Sequence, residues 1–140
     1  MNEIEAMITA WRGKGVLLNG PASDGDLSRL AELIDGNVPS DLRLFYGSIN
    51  GMHDNETDEC HVSFWSIDRL IRERDIVERD NRHWIAFADF LVYSWCFRIA
   101  AEAERTRVFD DSTGEEFGSL FEFFGRYIAD PDSLDLVRAG

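Results

Sequence analysis

The spacing of apolar residues changes twice along the chain, from a helical period to a strand period and back, and this order restricts the fold. The first segment has four apolar residues at the spacing of one helix face: Ile4, Met7, Ile8 and Trp11. Residues 61–109 instead contain short aromatic and β-branched runs, which are typical of strands. Grouped helices followed by grouped strands do not alternate as βαβ units do. The pattern therefore predicts an α+β fold with a mainly antiparallel or mixed central sheet covered by helices.

Three helices are predicted before the strands, and a fourth after the first strand. The first covers residues 3–11. A cap at Ser23 or Asp24 begins the second, and Pro39 fits the first turn of the third because its missing N–H costs nothing there. The fourth is predicted over residues 66–77, capped by Ser66, with Asp68 paired with Arg72 and Asp75 with Arg79 along its outer face.

Four strands and a closing helix are predicted in the rest of the chain. The strands are expected at residues 61–65, 84–88, 93–99 and 105–109. The second of them is apolar throughout, so we expect both of its faces to be covered and Trp84 to lie in the core. Ser119 and Glu122 have the spacing of a capping box at the start of the closing helix. Its apolar stripe is predicted to contain Phe117, Leu120, Phe121, Phe124 and Ile128.

Charge is the most informative bulk property of the chain. Its 27 acidic and 14 basic residues give a formal net charge of -13. Such a domain repels nucleic acid and anionic membranes, whose binding depends on Lys and Arg. We expect a partner with a basic surface, and the alternative is that the acidity only keeps the protein soluble.

Length and cysteine content favour one domain in a reducing compartment. The 140 residues can bury a core without disulfides, so we expect a single domain over 1–140. Cys60 and Cys96 form one pair at most, which gives no indication of an oxidising compartment. The first ten residues are acidic, unlike a secretory signal, and no apolar run approaches the roughly 20 residues of a membrane span. We therefore expect a cytoplasmic protein; nothing in the sequence predicts its oligomeric state.

A search for catalytic or metal-binding patterns finds little. The sequence has no glycine-rich phosphate loop and no GxSxG elbow. His53, Cys60 and His61 could supply metal ligands, but paired zinc-type spacing is missing. Glu59 stands where a calcium loop needs glycine, and Trp65 stands where it needs the closing glutamate. We expect no catalytic residue, metal or cofactor; the alternative is a metal-dependent hydrolase centred on the two histidines and the cysteine.

Four stretches of the chain resemble the SUKH superfamily in type and order. Residues 30–51 resemble its opening signature, with a proline before a helix and Asn50-Gly51 after it. The later stretches are Phe64-Trp65-Ser66, the Trp-containing run 84–88, and Val108 with Gly114 and residues 119–131. The resemblance covers roughly residues 24–131. The chain departs from the pattern at Val38, at Met52 and in residues 89–94, which lack a glycine turn.

The resemblance implies an α+β domain without catalytic activity of its own. Bacterial members are similar to immunity proteins that bind and block a toxin domain, often a nuclease, and fungal members are regulators of cell-wall synthesis and signalling. We therefore expect a bacterial immunity protein. The alternative is a non-catalytic regulatory or adaptor module on the same fold.

Two acid-rich segments are the predicted partner-binding sites, because clustered carboxylates can occupy a cleft that attracts phosphate. The first contains Asp54, Glu56, Asp58 and Glu59. The second contains Asp110, Asp111, Glu115 and Glu116. The first is preferred because it joins a helix to the sheet and contains no recognisable structural residue. The alternative for each is a solvated loop without a partner.

Overall fold

The computed structural model describes residues 1–136, and its elements confirm the α+β class. Helices and strands follow the predicted grouping, and one helix and one short strand lie between the first strand and the third. The helices are α1 (Glu3–Gly13), α2 (Asp24–Ile34), α3 (Ser40–Ser48), α4 (Ile67–Glu73) and α5 (Leu120–Ala129), followed by a 3-10 helix (Pro131–Leu134). The strands are β1 (Val62–Phe64), β2 (Ile76–Arg79), β3 (Arg82–Phe90), β4 (Trp95–Glu102), β5 (Arg105–Asp110) and β6 (Glu116–Phe117). No helix within residues 1–136 is long and apolar enough to cross a membrane.

The six strands form one antiparallel sheet in the order β1-β3-β4-β5-β6, with β2 also pairing with β3. Because β4 occupies one edge of β3, β1 and β2 share the other edge. Val62 of β1 pairs with Phe90 at one end of β3, and Arg79 of β2 pairs with Arg82 at the opposite end. The sheet therefore has two distinct ends, one at Phe90 and one at Arg82.

The main core lies between one face of the sheet and helices α1, α3 and α5. Phe123 of α5 has its ring 5.0 Å from that of Phe97 and 5.5 Å from that of Phe117. Trp11 of α1 contacts the ring of Phe124 at 6.0 Å, which joins the two helices. Aromatic pairs of this kind contribute about 0.5–1.5 kcal/mol each beyond the area they bury. The four apolar residues predicted for α1 all lie in this core.

The opposite face of the sheet is also covered. Trp84 is fully buried there, as predicted, with its ring 5.8 Å from that of Phe109. Arg98 lies across the same face, and its guanidinium donates hydrogen bonds of 3.0 Å to Asp75 and to Asp111. This face therefore contains the aromatic side chains of Trp84 and Phe109 and the buried guanidinium of Arg98.

The predicted helix over residues 66–77 is wrong in its last turn. The helix ends at Glu73 because Arg74 takes a left-handed conformation (φ 46). Residues beyond it form β2, an edge strand that the helical reading of the sequence missed. The predicted pairing of Asp75 with Arg79 is therefore wrong, since Asp75 binds Arg98 across the sheet.

The stripe predicted for the closing helix is rotated. The buried residues of α5 are Leu120, Phe123, Phe124 and Tyr127, whereas Phe121 and Ile128 are only partly buried. The helix packs against the sheet and α1 at once, and this selects a different face from the one expected. The predicted capping box forms only in part, since Ser119 accepts the N–H of Glu122 at 3.1 Å whereas the Glu122 carboxylate accepts the N–H of Gly118 at 2.9 Å. Pro39 directly precedes α3 and does not enter its first turn.

Candidate functional site

Both acid-rich segments adjoin the Phe90 end of the sheet. The 54–59 segment leads into β1, whose first residue pairs with Phe90. The 110–116 segment is the β5–β6 turn, and Asp110 pairs with Phe97 near the start of β4. The β3–β4 turn, residues 91–94, therefore lies between the two segments.

Asp58 is a structural residue of the first segment. Its Oδ2 accepts the indole N–H of Trp11 at 3.0 Å and the hydroxyl of Tyr127 at 2.5 Å. Its Oδ1 accepts the backbone N–H groups of Cys60 at 2.9 Å and Val62 at 3.2 Å. The carboxylate thus joins α1, α5 and the start of β1, and burial raises its pKa. The expectation that this segment contains no structural residue is wrong, and Asp58 is too buried to contact a partner.

The other three carboxylates of the first segment point to separate parts of the protein. Asp54 binds Arg72 of α4 at 2.9 Å, Glu56 accepts the N–H of Leu17 at 2.6 Å, and Glu59 lies 3.6 Å from Lys14. Each is held by a contact within the chain, so the four acids that are adjacent in sequence do not converge on one patch. The acids of this segment therefore contact other parts of the same chain and do not form one exposed patch.

Asp110 is the buried carboxylate of the second segment. Its Oδ1 accepts the backbone N–H groups of Ser112 at 2.8 Å and Thr113 at 3.4 Å, an arrangement that closes the turn locally. Its Oδ2 has no hydrogen-bond partner within residues 1–136. Burial, with a further contribution from Asp135, raises the pKa of Asp110. Like Asp58, it is corrected from a partner contact to a structural residue.

Of the remaining carboxylates, Asp111 and Glu115 lie at the surface of the turn, whereas Glu116 belongs to β6 and has one buried oxygen. Both oxygens of Asp111 accept the single Nε–H of Arg98 at 3.0 Å. Glu115 lies 3.0 Å from Arg126, and Glu116 lies 3.8 Å from Arg79. The hydroxyl of Ser112 donates to Asp135 at 2.6 Å, which brings the end of the chain against this turn.

Sequence analysis missed the C-terminal acids that enlarge the second segment. Asp130, Asp132 and Asp135 are exposed in or beside the 3-10 helix. Asp135 reaches the β5–β6 turn because α5 returns to this end of the sheet, where Arg126 binds both Glu115 and Ser133. No local pattern indicates that contact.

Most basic side chains are already neutralised inside the protein. Of the 13 basic residues within residues 1–136, nine make ion pairs with acids, and these are Lys14, Arg29, Arg69, Arg72, Arg79, Arg82, Arg98, Arg107 and Arg126. The surplus charge at the surface is therefore carboxylate. A field of this kind attracts a cationic protein over a distance of about one Debye length, roughly 8 Å at physiological salt.

The β3–β4 turn is a surface feature that the sequence did not predict. Residues 93–99 were expected to form one strand, but β4 begins at Trp95 and Tyr93 belongs to the turn. The Tyr93 ring lies 5.5 Å from that of Trp65, and the Arg69 guanidinium lies over the Trp65 ring at 4.5 Å. Partial burial raises the pKa of Tyr93 to about 12, with a further contribution from Glu73.

The side chains that the alternative of a metal-dependent hydrolase would use as ligands are not assembled. His53 and His61 are exposed whereas Cys60 is buried, and the described residues contain no group of three His, Cys, Asp or Glu side chains placed to hold a metal ion. A cavity of about 220 Å³ lies beside Asp58 and Cys60, lined mainly by Met7, Trp11 and Ile128. Since its four hydrogen bonds already engage both carboxylate oxygens, Asp58 is poorly placed to act on a molecule in this cavity.

Comparison with known families gives a direct match. A model described as the SMI1 / KNR4 family (SUKH-1) covers residues 21–133. The chain belongs to this family. The match confirms the resemblance found in the sequence and extends slightly beyond residues 24–131. SUKH-1 proteins are toxin-immunity proteins and related regulators and are generally non-catalytic. A search of curated proteins found no match.

In this SUKH-1 chain, the residues that carry the family resemblance are structural. Gly51 has φ +66, and a Cβ there would lie 2.5 Å from the carbonyl carbon of Trp65. Asn50 accepts the backbone N–H of Ile67 at 2.8 Å, and the hydroxyl of Tyr46 donates to the Trp65 carbonyl at 2.8 Å. These contacts fix the helical region against β1. The signature therefore identifies the fold, and the partner surface has to be sought elsewhere.

Proposed function

We propose that this SUKH-1 protein is a bacterial immunity protein that binds and neutralises a cognate toxin in the cytoplasm, and that the toxin is a nuclease domain. The observation that carries the proposal is the surplus of surface carboxylates, since a net charge of -13 remains after most basic side chains are paired internally. Nuclease clefts are basic because they bind phosphate, so they attract such a surface.

The 110–116 segment supports this role better than the 54–59 segment. In both segments each remaining acid contacts a different part of the protein, as Asp54, Glu56 and Glu59 do in the first. The second segment differs because Asp135 lies against its turn, through the hydroxyl of Ser112, and adds a further exposed carboxylate there. Single exposed ion pairs contribute about 0–1 kcal/mol, so clustering matters mainly through faster association.

Co-expression tests the proposal directly. The gene adjacent to this one is expressed with and without the wild-type chain, and we expect the chain to restore growth when that gene encodes a nuclease toxin. An adjacent product that the chain neither binds nor neutralises would contradict the proposal. Binding without any toxic activity would favour the regulatory or adaptor role.

Matched charge variants then test the surface. The variant Asp132→Asn, Asp135→Asn removes two charges beside the 110–116 turn. The control Glu32→Gln, Asp35→Asn removes two charges at the end of α2. This site lies near the other end of the sheet, because the neighbouring Ile34 lines a surface depression together with Asn81 and Arg82. We expect the first variant to slow association with the toxin several-fold, on the order of tenfold at low salt, and the control to have a much smaller effect. Equal rates in the two variants would exclude the 110–116 surface.

A further inference from the structure

The β3–β4 turn presents three consecutive apolar residues in the left-handed region of the backbone. The φ angles of Leu91, Val92 and Tyr93 are 44, 50 and 65. Their exposed fractions are 49%, 89% and 41%, so Val92 is almost entirely in solvent. The left-handed conformation is unfavourable for residues other than glycine, and most of all for a β-branched residue such as valine. The packing of the Tyr93 ring against Trp65 accounts for the tyrosine, but neither the backbone nor burial accounts for Leu91 and Val92 at this position.

The β2–β3 turn shows how the same chain builds an ordinary hairpin. Its left-handed positions are occupied by Asp80 and Asn81 (φ 53 and 60), which are polar and tolerate this conformation. The other left-handed positions outside the β3–β4 turn are single residues, most of them polar: Asp35, Asn55, His61, Arg74, Ala103 and Asp135. The β3–β4 turn differs because it places three such residues in a row and two of them, Leu91 and Val92, have large aliphatic side chains.

Hydrogen bonds hold the β3–β4 turn in one shape. The N–H of Tyr93 donates to Oδ2 of the buried Asp89 at 3.0 Å, and the N–H of Leu91 donates to the His61 carbonyl at 3.1 Å. The hydroxyl of Ser94 donates to the Leu91 carbonyl at 3.0 Å. A protruding apolar group that is already ordered loses little entropy on binding, which favours a contact with a pocket in another protein.

The charges beside the turn select the kind of partner. Strands are spaced by about 4.8 Å, which places the β3–β4 and β5–β6 turns roughly 10 Å apart, well within one protein interface. The second turn carries Asp111 and Glu115, with Asp135 beside it. This charge opposes the approach of an anionic membrane or a second copy of the chain, and it favours a protein with a basic surface.

We infer that Leu91, Val92 and Tyr93 are the apolar anchor of the toxin-binding surface, inserting into an apolar pocket that is bordered by Lys or Arg on the toxin. The inference rests on the proposed function and deepens it by naming the contact. It places an apolar centre beside a charged rim, which is the usual anatomy of a protein interface.

The test uses a turn variant and a matched control. Leu91→Asn, Val92→Asn removes the apolar groups and introduces residues that tolerate the left-handed backbone. Ile76→Thr, Val77→Thr replaces two other exposed apolar residues with residues suited to the edge strand β2. Binding is measured with the purified, catalytically inactivated product of the adjacent toxin gene. We expect the turn variant to bind at least about tenfold more weakly, mainly through faster dissociation, and the control to bind like the wild type.

Four further outcomes are decisive. Protection of residues 90–95 from hydrogen exchange in the wild-type complex would support the inference. Wild-type affinity in the turn variant would overturn the inference while leaving the proposed function intact, whereas failure of the wild-type chain to bind would overturn both. A wild-type dimer that the turn variant dissociates would show that the apolar residues contact a second copy and would also overturn the inference.

Discussion

The 54–59 and 110–116 segments have the same number of carboxylates but different organisation. In the first, the buried Asp58 accepts hydrogen bonds from α1 and α5 as well as from its own loop. In the second, the buried Asp110 accepts them only from its own turn, and one of its oxygens has no partner among residues 1–136. A buried carboxylate that joins distant elements contributes to the stability of the whole fold, whereas one that closes a single turn stabilises that turn.

The largest effect is expected at Asp58. Replacing it by alanine leaves the Trp11 and Tyr127 donors and two backbone N–H groups without their acceptor, so we expect the free energy of unfolding to fall by about 3–5 kcal/mol. Urea denaturation followed by tryptophan fluorescence measures the loss. The control is Asp54→Ala, which removes an exposed partner of Arg72 and should cost less than about 1 kcal/mol. Equal losses in the two variants would refute the structural role of Asp58.

A smaller effect is expected at Asp110. Asp110→Asn keeps an oxygen that can accept from Ser112 and removes a buried charge, so the free energy of unfolding at neutral pH should change by less than about 1 kcal/mol. The same denaturation measurement applies. A loss as large as that of Asp58→Ala would show that the turn has the long-range role assigned to the first segment.

The dependence of stability on pH sharpens the comparison. Burial raises the pKa of Asp110 in the native state above the reference value of 3.8. At pH values between the unfolded-state pKa and the native-state pKa of Asp110, the native state therefore binds more protons than the unfolded state. The contribution of this group to stability is lost as the pH rises through the native-state pKa. Relative to Asp110→Asn, wild-type stability should decline from pH 4 towards neutrality. Parallel pH profiles for the two proteins would contradict the raised pKa.

The smallest effect on stability is expected at the surface of the second segment. Glu115→Gln removes an ion pair with Arg126 in which both side chains are about one-third exposed. We expect a change of less than about 0.5 kcal/mol in the free energy of unfolding, since exposed pairs are screened by solvent. Differential scanning calorimetry at low and high salt measures it; a loss of several kcal/mol would assign this acid to the fold.

The sequence predicted those features of the fold that depend on local periodicity. The apolar face of α1 and the two covered faces of β3 follow directly from residue spacing. The end of α4 at Arg74 and the rotation of α5 towards Tyr127 depend on contacts with the sheet, which no local pattern contains. The site prediction was limited in the same way. The sequence shows where the acidic residues are, but not that the side chains of Asp58 and Asp110 are buried in the protein.

The central claim is that the protein acts by electrostatically guided binding to a basic toxin. Stopped-flow association with the inactivated toxin domain, measured from low to high ionic strength, tests it most directly. The account predicts a rate constant that falls steeply as salt screens the carboxylates, at roughly constant dissociation rate. An association rate that does not change with salt would contradict it.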